Sequence, residues 1–298
     1  MDAQRITTTT ALPVIERVVV GFDRSPAARA ALRVGAGLGR TLGAEVHAIE
    51  TWQYPATTVI PGGATHLADR RAVDAEVTDE MEHSVADVLG GDARSVACRV
   101  ERGPAAPALV RHSQGRGALV VLGSRELSAS DRVLLGSTTH DVLHGTTAPV
   151  LVVPEGPAAS ETLRRIVVGV DGTPGSQEAV LLATSIALGA GATVVVVHAT
   201  DRAREARGDR VDHAAWAWEH LSGPWTDAMS ERGLEVRPVV TDAEPRAALA
   251  AIADDEDADL IVVGRSRRSF GPPWHVGSVA AFLTRHAGRP VLIAPPSI

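Results

Sequence analysis

Several residue types that common functional classes require are missing from this sequence. It contains no lysine and no asparagine, so all 29 of its permanently basic residues are arginines. A Walker-type phosphate loop needs a Gly-Lys-Ser/Thr motif and is therefore excluded. The single cysteine, Cys98, excludes an internal disulfide and favours a reducing compartment. Its apolar surroundings predict a buried, unreactive thiol.

Long apolar runs and an excess of positive charge are also absent. No apolar run approaches the roughly 18 residues of a membrane-spanning helix, and the N-terminus lacks the apolar stretch of a signal peptide. We therefore expect a cytoplasmic protein. The formal charge of −7 argues against nucleic acid and membrane surfaces as partners, because both attract basic proteins.

The chain contains an internal repeat. The segment RVVVGFDRSPAARAAL, from Arg17, returns as RIVVGVDGTPGSQEAV from Arg165. Two later segments repeat in the same order, and the copies close on APVLVVP and RPVLIAP. Such an ordered repeat predicts two copies of one domain, copy one at 1–155 and copy two at 164–298. The linker at 156–163 is rich in Gly, Pro and Ala, as a joint between domains should be.

Each copy alternates short runs of Val, Ile and Leu with longer helical stretches. Continuous apolar runs are typical of parallel strands that are buried on both faces. The pattern predicts an α/β fold with two tandem doubly wound domains, each a five-stranded parallel sheet flanked by helices. The predicted strands are 17–22, 45–50, 95–100, 118–122 and 149–153 in copy one, and 165–170, 193–199, 234–240, 260–263 and 290–294 in copy two.

Acidic and small residues follow the predicted strands at their carboxyl ends, where doubly wound sheets bind ligands. An Asp follows strand one, a Gly ends strand four, and a Gly-Ser pair starts the last helix. A helix start attracts anions, and a carboxylate accepts hydrogen bonds from ribose hydroxyls. The pattern indicates a nucleotide, although plain helix capping explains it too. These residues are Asp23, Gly123, Gly136 and Ser137 in copy one, and Asp171, Gly264, Gly277 and Ser278 in copy two.

Taken in order, these motifs resemble those of tandem universal stress proteins over nearly the whole chain. The resemblance implies that the two copies pack as a pseudo-dimer through their last strands. It also implies that the residues above bind ATP or a related adenine nucleotide, with or without Mg. The residue lying against adenine would be Ala48 in copy one or Ala199 in copy two, each of which follows a histidine.

One position departs from the loop of the ATP-binding branch, which reads Gly, two residues, Gly, nine residues, Gly, then Ser or Thr. Its second Gly is Glu126 in copy one and Arg267 in copy two. A carboxylate about 4 Å from a phosphate repels it by roughly 1 to 4 kcal/mol. Arg267, grouped with Arg265 and Arg268, suits phosphate, or else forms a solvated basic loop. The phosphate-binding loop of copy one is therefore expected to be compromised, and that of copy two is expected to be altered.

Three functions remain open. The first is a stress or dormancy regulator that binds an adenine nucleotide in at least one copy and acts on an unidentified protein partner. The second is a nucleotide-free interaction module in which both sites have degenerated. The third is an enzyme of the adenine-nucleotide-hydrolase-like superfamily acting on a small substrate, although no catalytic spacing supports it. For the same reason any ATP hydrolysis by the regulator would be slow. A homodimer also stays open, with contacts from helices or from the loops 52–66 and 200–212.

Two other patterns have simpler explanations. His140 and His144 have the spacing of metal ligands, but no third ligand is evident, so surface or capping histidines are expected. Trp216 and Trp218 are two residues apart and cannot share one face of a helix. One of them is expected in the core and the other at an interface or in ordinary packing.

Overall fold

The computed structural model describes residues 10–53, 70–124, 136–156, 162–199, 226–267, 274–275 and 277–295. Trp216, Trp218, Glu126 and Arg268 lie outside these ranges. Copy one contributes the strands β1 (Arg17–Gly21), β2 (Glu45–Trp52), β3 (Val96–Arg102), β4 (Ala118–Ser124) and β5 (Val150–Pro154). Copy two contributes β6 (Arg165–Gly169), β7 (Thr193–Ala199), β8 (Val236–Thr241), β9 (Leu260–Val263), β10 (Ser266–Arg267), β11 (Trp274–His275) and β12 (Val291–Ile293).

Helices connect most of the strands. In copy one they are α1 (Pro26–Leu42), α2 (Arg70–Leu89), a 3-10 helix (Gly90–Ser95), α3 (Ala105–His112) and α4 (Ser137–Gly145). In copy two the described helices are α5 (Pro174–Ala190), α6 (Thr226–Ser230), α7 (Pro245–Asp255) and α8 (Ser278–His286). None of the helices in these ranges combines the length and the apolar character that a membrane span requires.

The strands of both copies form one continuous ten-stranded sheet, in the order β3-β2-β1-β4-β5-β12-β9-β6-β7-β8. Within each copy neighbouring strands run parallel, whereas β5 and β12 pair antiparallel and join the two halves. The predicted fold class and the packing through the last strands are confirmed. Because the halves are antiparallel, their carboxyl edges lie on opposite sides of the joint sheet.

Alternating side chains of each strand pack into two separate cores, one on each face of the sheet. Val18 and Val20 belong to the core beneath α1, α2 and α5, whereas Val19 belongs to the core beneath α3, α4, α7 and α8. All three valines are fully buried, as a strand covered by helices on both faces requires. The apolar runs of the sequence therefore predicted the strands correctly.

The first helix of each copy starts and ends as its sequence indicates. Ser25 Oγ accepts a hydrogen bond from the N–H of Ala28 at 3.2 Å, and Thr173 Oγ1 accepts one from Ser176 at 3.3 Å. A proline follows each cap, where its missing N–H costs nothing. The helices end at Gly43 and Gly191, whose φ angles of 67° and 64° favour glycine. These caps fix the turns that present the strand-end aspartates.

Candidate functional site

The predicted site residues lie at the carboxyl edge of each half. In copy one β1 and β4 are neighbouring parallel strands, so the turn after β1 and the end of β4 meet at the same edge. In copy two β6 and β9 are neighbours in the same way. We call the first set of residues the copy-one site (Asp23, Gly123, Gly136 and Ser137). The second set is the copy-two site (Asp171, Gly264, Gly277 and Ser278).

The strand-end aspartates shape the turn into the first helix. Asp23 Oδ1 accepts a hydrogen bond from the N–H of Ser25 at 3.0 Å. Asp171 Oδ1 accepts one from the N–H of Thr173 at 3.0 Å and another from its hydroxyl at 2.6 Å. Both aspartates are exposed, and their Oδ2 atoms accept no hydrogen bond from the described residues. Each therefore combines a turn-forming oxygen with one that can accept a hydrogen bond from a ligand.

The strand-end glycines are required by packing inside each copy. A Cβ on Gly123 would lie 2.4 Å from the carbonyl carbon of Ala27, in the first turn of α1. A Cβ on Gly264 would lie 2.4 Å from the carbonyl carbon of Gly175, in the first turn of α5. Real Cβ atoms do not approach backbone this closely. The sequence pattern connected these glycines only with a ligand, whereas the fold itself needs them.

The glycine before α4 has no such explanation. Gly136 precedes the first turn with φ −49°, and a Cβ there would meet nothing within 4 Å. Neither Gly136 nor Gly277 offers a capping side chain, and the first helical bonds run to their carbonyls from His140 and Ala281. The N–H groups of the first helical turns and the exposed Ser137 and Ser278 therefore face the carboxyl edges.

The strand registers show that Ala48 and Ala199 do not occupy equivalent positions in the two copies. Ala48 pairs with Val20 of β1, and the corresponding partner of Val168 in β6 is Val196. Ala199 lies three residues further along β7, so its counterpart in copy one is Thr51 and not Ala48. Ala48 is fully buried in the core beneath α1. The two similar His-Ala pairs therefore stand at different depths of their strands, and the proposed contact of Ala48 with a base stays a prediction.

Copy one carries an ion cluster beside its site. The guanidinium of Arg24 donates to the buried Glu50 at the end of β2, with Nε 2.9 Å from Oε1, and also pairs with Glu80 of α2. Arg24 holds a left-handed backbone with φ 63°, a conformation that costs an ordinary residue roughly 1 kcal/mol. Neither Glu50 nor the cluster was predicted from the sequence, because their partners are far apart along the chain.

The residues of copy two that correspond to Arg24 and Glu50 are Gly172 and His198. Gly172 takes the place of Arg24 with φ 77°, which glycine adopts without strain. His198 takes the place of Glu50, is buried, and has Nδ1 2.8 Å from the carbonyl oxygen of Val170. At these two positions copy two therefore has a glycine and a histidine where copy one has an arginine and a carboxylate.

The ion cluster gives a stability difference that depends on pH. Burial raises the pKa of Glu50, and the hydrogen bond from Arg24 opposes it. Because the folded-state pKa is raised, the contribution of Glu50 to stability is largest below its ordinary pKa and is lost as the pH rises through the folded-state value. We expect the stability of Glu50→Gln relative to the parent to increase as the pH rises from about 4 to about 7.

Urea unfolding at both pH values measures this difference. The exposed Glu76 of α2 provides the matched control, since Glu76→Gln removes a carboxylate that is not buried. An unfolding difference between Glu50→Gln and the parent that stays constant over this range would contradict the assignment.

A groove of about 810 Å³ lies between α1 and α2, and no residue of α4 or α8 lines it. Its walls carry Arg24 and Arg29 but more acidic groups, including Glu76, Asp79 and Asp87. This charge disfavours a nucleotide phosphate. The groove adjoins the copy-one site at Arg24, the residue after Asp23, but none of the four residues of that site lines it.

Arg265 differs most from its sequence-based interpretation. It follows Gly264 and was one of three arginines grouped in an exposed or phosphate-binding loop, yet only 4% of its surface is exposed. A solvated basic loop is therefore excluded for this residue. Arg267 places its backbone in β10, which pairs with β11 in a two-stranded antiparallel ribbon.

The remaining candidate residues have structural roles. His140 and His144 are exposed and stack with ring centroids 4.2 Å apart. Within the ranges that the structure describes, no group of three or more His, Cys, Asp or Glu could hold a metal ion. Cys98 is half-buried, and burial raises the pKa of its thiol, which keeps it protonated and unreactive at neutral pH.

Comparison with known proteins decides the family. The model of the universal stress protein family matches residues 15–154 and again residues 162–295. The chain belongs to the universal stress protein family. Universal stress protein Rv1996 of Mycobacterium tuberculosis is 27% identical to it over 301 residues, covering 93% of this chain and 94% of that protein.

Solved structures agree with the tandem arrangement. A universal stress protein from Archaeoglobus fulgidus DSM 4304 superposes with a TM-score of 0.68 at 18% identity, over 94% of this chain and 98% of that one. Another universal stress protein, solved in complex with cAMP, is 31% identical and covers 45% of this chain and 98% of its own, with a TM-score of 0.35. The Archaeoglobus fulgidus structure thus shares the fold along nearly the full length of the chain.

Proposed function

We propose that this universal stress protein is a cytoplasmic stress or dormancy regulator that binds one adenine nucleotide, ATP or a close relative, in copy two. The observation that carries the proposal is the difference between the two sites. In copy two, Asp171 Oδ2 accepts no hydrogen bond from the described residues, α8 starts without a side-chain cap, and Gly172 and His198 replace Arg24 and the carboxylate of Glu50. We further propose the boundaries 1–155 and 164–298 for its two domains.

The residues of copy two fit a nucleotide. The first turn of α8 offers N–H groups and the positive end of a helix dipole to phosphates, and Ser278 adds an exposed hydroxyl. Asp171 Oδ2 can accept a hydrogen bond from a ribose hydroxyl. Ala199, at the end of β7, is the proposed neighbour of the base. Any Mg would enter with the phosphates. We expect ATP hydrolysis to be slow, because the sequence shows no spacing typical of a catalytic base.

Copy one is proposed to be the weaker site. Glu126 of its loop adds a negative charge, and Glu50 and Glu80 surround Arg24 beside the turn. Carboxylates repel phosphates, and the arginine that could compensate is already paired with two of them. We therefore expect one nucleotide per chain. The resulting signal would pass to a protein partner that recognises the occupied form, or to a second copy of this chain.

The second candidate function is a nucleotide-free interaction module. It is favoured by Gly123 and Gly264, because packing against α1 and α5 is enough to require glycine there. Under that function neither helix start binds a ligand, and the exposed surfaces carry the interactions.

Calorimetric titration with ATP separates the two functions. We expect Gly277→Glu, which introduces a carboxylate at the start of α8, to weaken binding at least about 10-fold. The matched variant Gly136→Glu makes the same change in copy one and should leave the affinity unchanged. Unfolding curves of both variants establish that they fold. Absence of heat with the parent protein, or equal losses in both variants, would contradict the assignment to copy two.

A further inference from the structure

Arg265 is a buried cation with incomplete hydrogen bonding. Its Nη1 donates to the carbonyl oxygen of Thr146 at 2.9 Å, while Nε and Nη2 are buried and have no partner among the described residues. Burial lowers the pKa of Arg265 to about 10, so the guanidinium remains charged at neutral pH. A buried charge whose N–H donors lack acceptors destabilises a protein unless an anion or a polar group accepts their hydrogen bonds.

The bond to Thr146 crosses from copy two into copy one. Thr146 is the C-cap of α4, where unpaired carbonyls form the negative end of the helix dipole. This contact compensates the guanidinium in part. The corresponding residue of copy one is Ser124, which carries no charge and whose hydroxyl donates to the carbonyl of Val153 at 3.4 Å. The buried cation is therefore a specific feature of copy two.

The position of Arg265 brings this charge to the copy-two site. Arg265 directly follows Gly264 at the carboxyl end of β9, and α8 starts at the same edge of copy two. In the antiparallel junction Ile293 pairs with Val150, so the end of α4 lies at this edge as well. A buried cation, the positive end of α8 and the negative end of α4 thus share one edge of the sheet. Of these charges, Arg265 is the one that the described residues leave incompletely compensated.

We propose that Arg265 determines the specificity of the copy-two site for the number of phosphates on its ligand, by placing a buried positive charge beside the start of α8. This inference rests on the proposed function, since it assigns a role within the same site. The buried guanidinium interacts strongly with anions because little water screens it. Affinity should therefore rise with ligand charge, from adenosine through AMP and ADP to ATP.

The test is a calorimetric series with these four ligands on the full-length chain. Arg265→Met keeps much of the side-chain volume and removes the charge, whereas Arg265→Lys keeps the charge and loses the planar fork. We expect Arg265→Met to weaken the binding of ATP at least about 10-fold, that of AMP by a smaller factor, and that of adenosine less than about 2-fold. Arg265→Lys should retain the order of affinities. Arg237→Met, which removes an exposed cation at β8, is the control for net charge.

The outcomes are distinguishable. Equal loss for adenosine and ATP in Arg265→Met would overturn the proposal and leave Arg265 as a cap of α4 that supports the site only through folding. Unchanged affinities would overturn it as well, while the nucleotide function stands. A parent chain that binds none of the four ligands would overturn both proposals. Thermal unfolding shows whether Arg265→Met folds. If it does not, Arg265→Gln carries the test, because it also removes the charge but can still donate a hydrogen bond.

Discussion

Gly264→Ala is expected to lower the free energy of unfolding by about 3 kcal/mol, because overpacking against rigid backbone cannot be relieved by a side-chain rotation. The added methyl carbon would lie 2.4 Å from the carbonyl carbon and 2.5 Å from the oxygen of Gly175. Gly123→Ala should have the same effect against Ala27, at 2.4 Å. For a chain of this size the loss corresponds to about 5 to 10 °C in the unfolding midpoint.

Gly136→Ala is the matched control within the same motif. Its added carbon meets nothing within 4 Å, and its backbone does not need glycine. The expected loss is below about 1 kcal/mol, arising from a slightly poorer N-cap. Thermal unfolding of the three variants measures the contrast. Equal stability of Gly123→Ala and Gly136→Ala would show that the strand-end glycines are not held by packing against the first helices.

Leu151→Ala and Leu292→Ala are each expected to cost about 2 to 5 kcal/mol, since both remove a buried side chain and leave a cavity. Leu151 of β5 pairs with Leu292 of β12 in the antiparallel register, and each is 1% exposed. They join the two copies. The double variant should cost less than the sum of the two single ones, with a coupling of about 0.5 to 3 kcal/mol for residues in contact.

Urea unfolding of the parent, the two single variants and the double variant measures this coupling as a double-mutant cycle. Leu188→Ala provides the control, because Leu188 is 40% exposed and its truncation should change stability by less than about 0.5 kcal/mol. Strictly additive losses at Leu151 and Leu292 would contradict the junction between β5 and β12.

The fold was predictable because its signals are local and occur twice. The valine-rich run after Arg17 specifies a strand buried on both faces, and the Ser-Pro cap that follows it specifies a helix start. Repetition of both signals from Arg165 indicated the tandem arrangement. The packing of β5 on β12 came from the family resemblance and not from periodicity, because a strand's apolar pattern does not identify its neighbour.

The site was predictable in part. Asp171 and Gly277 stand at the expected edge because the carboxyl ends of parallel strands converge there. The register of Ala48 was missed, since a repeated dipeptide does not fix the depth of a residue in its strand. The pairing of Arg24 with Glu50 and the burial of Arg265 were also missed. Both depend on contacts between distant segments, which sequence spacing does not reveal.

Native mass spectrometry of the full-length chain over a range of ATP concentrations tests whether copy two holds the single nucleotide site. It counts the nucleotides bound to each chain, whereas an averaged affinity does not. We predict one ATP per chain, which is lost in Gly277→Glu and retained in Gly136→Glu. Two ATP molecules bound with equal affinity, or none at millimolar ATP, would contradict a single nucleotide site in copy two.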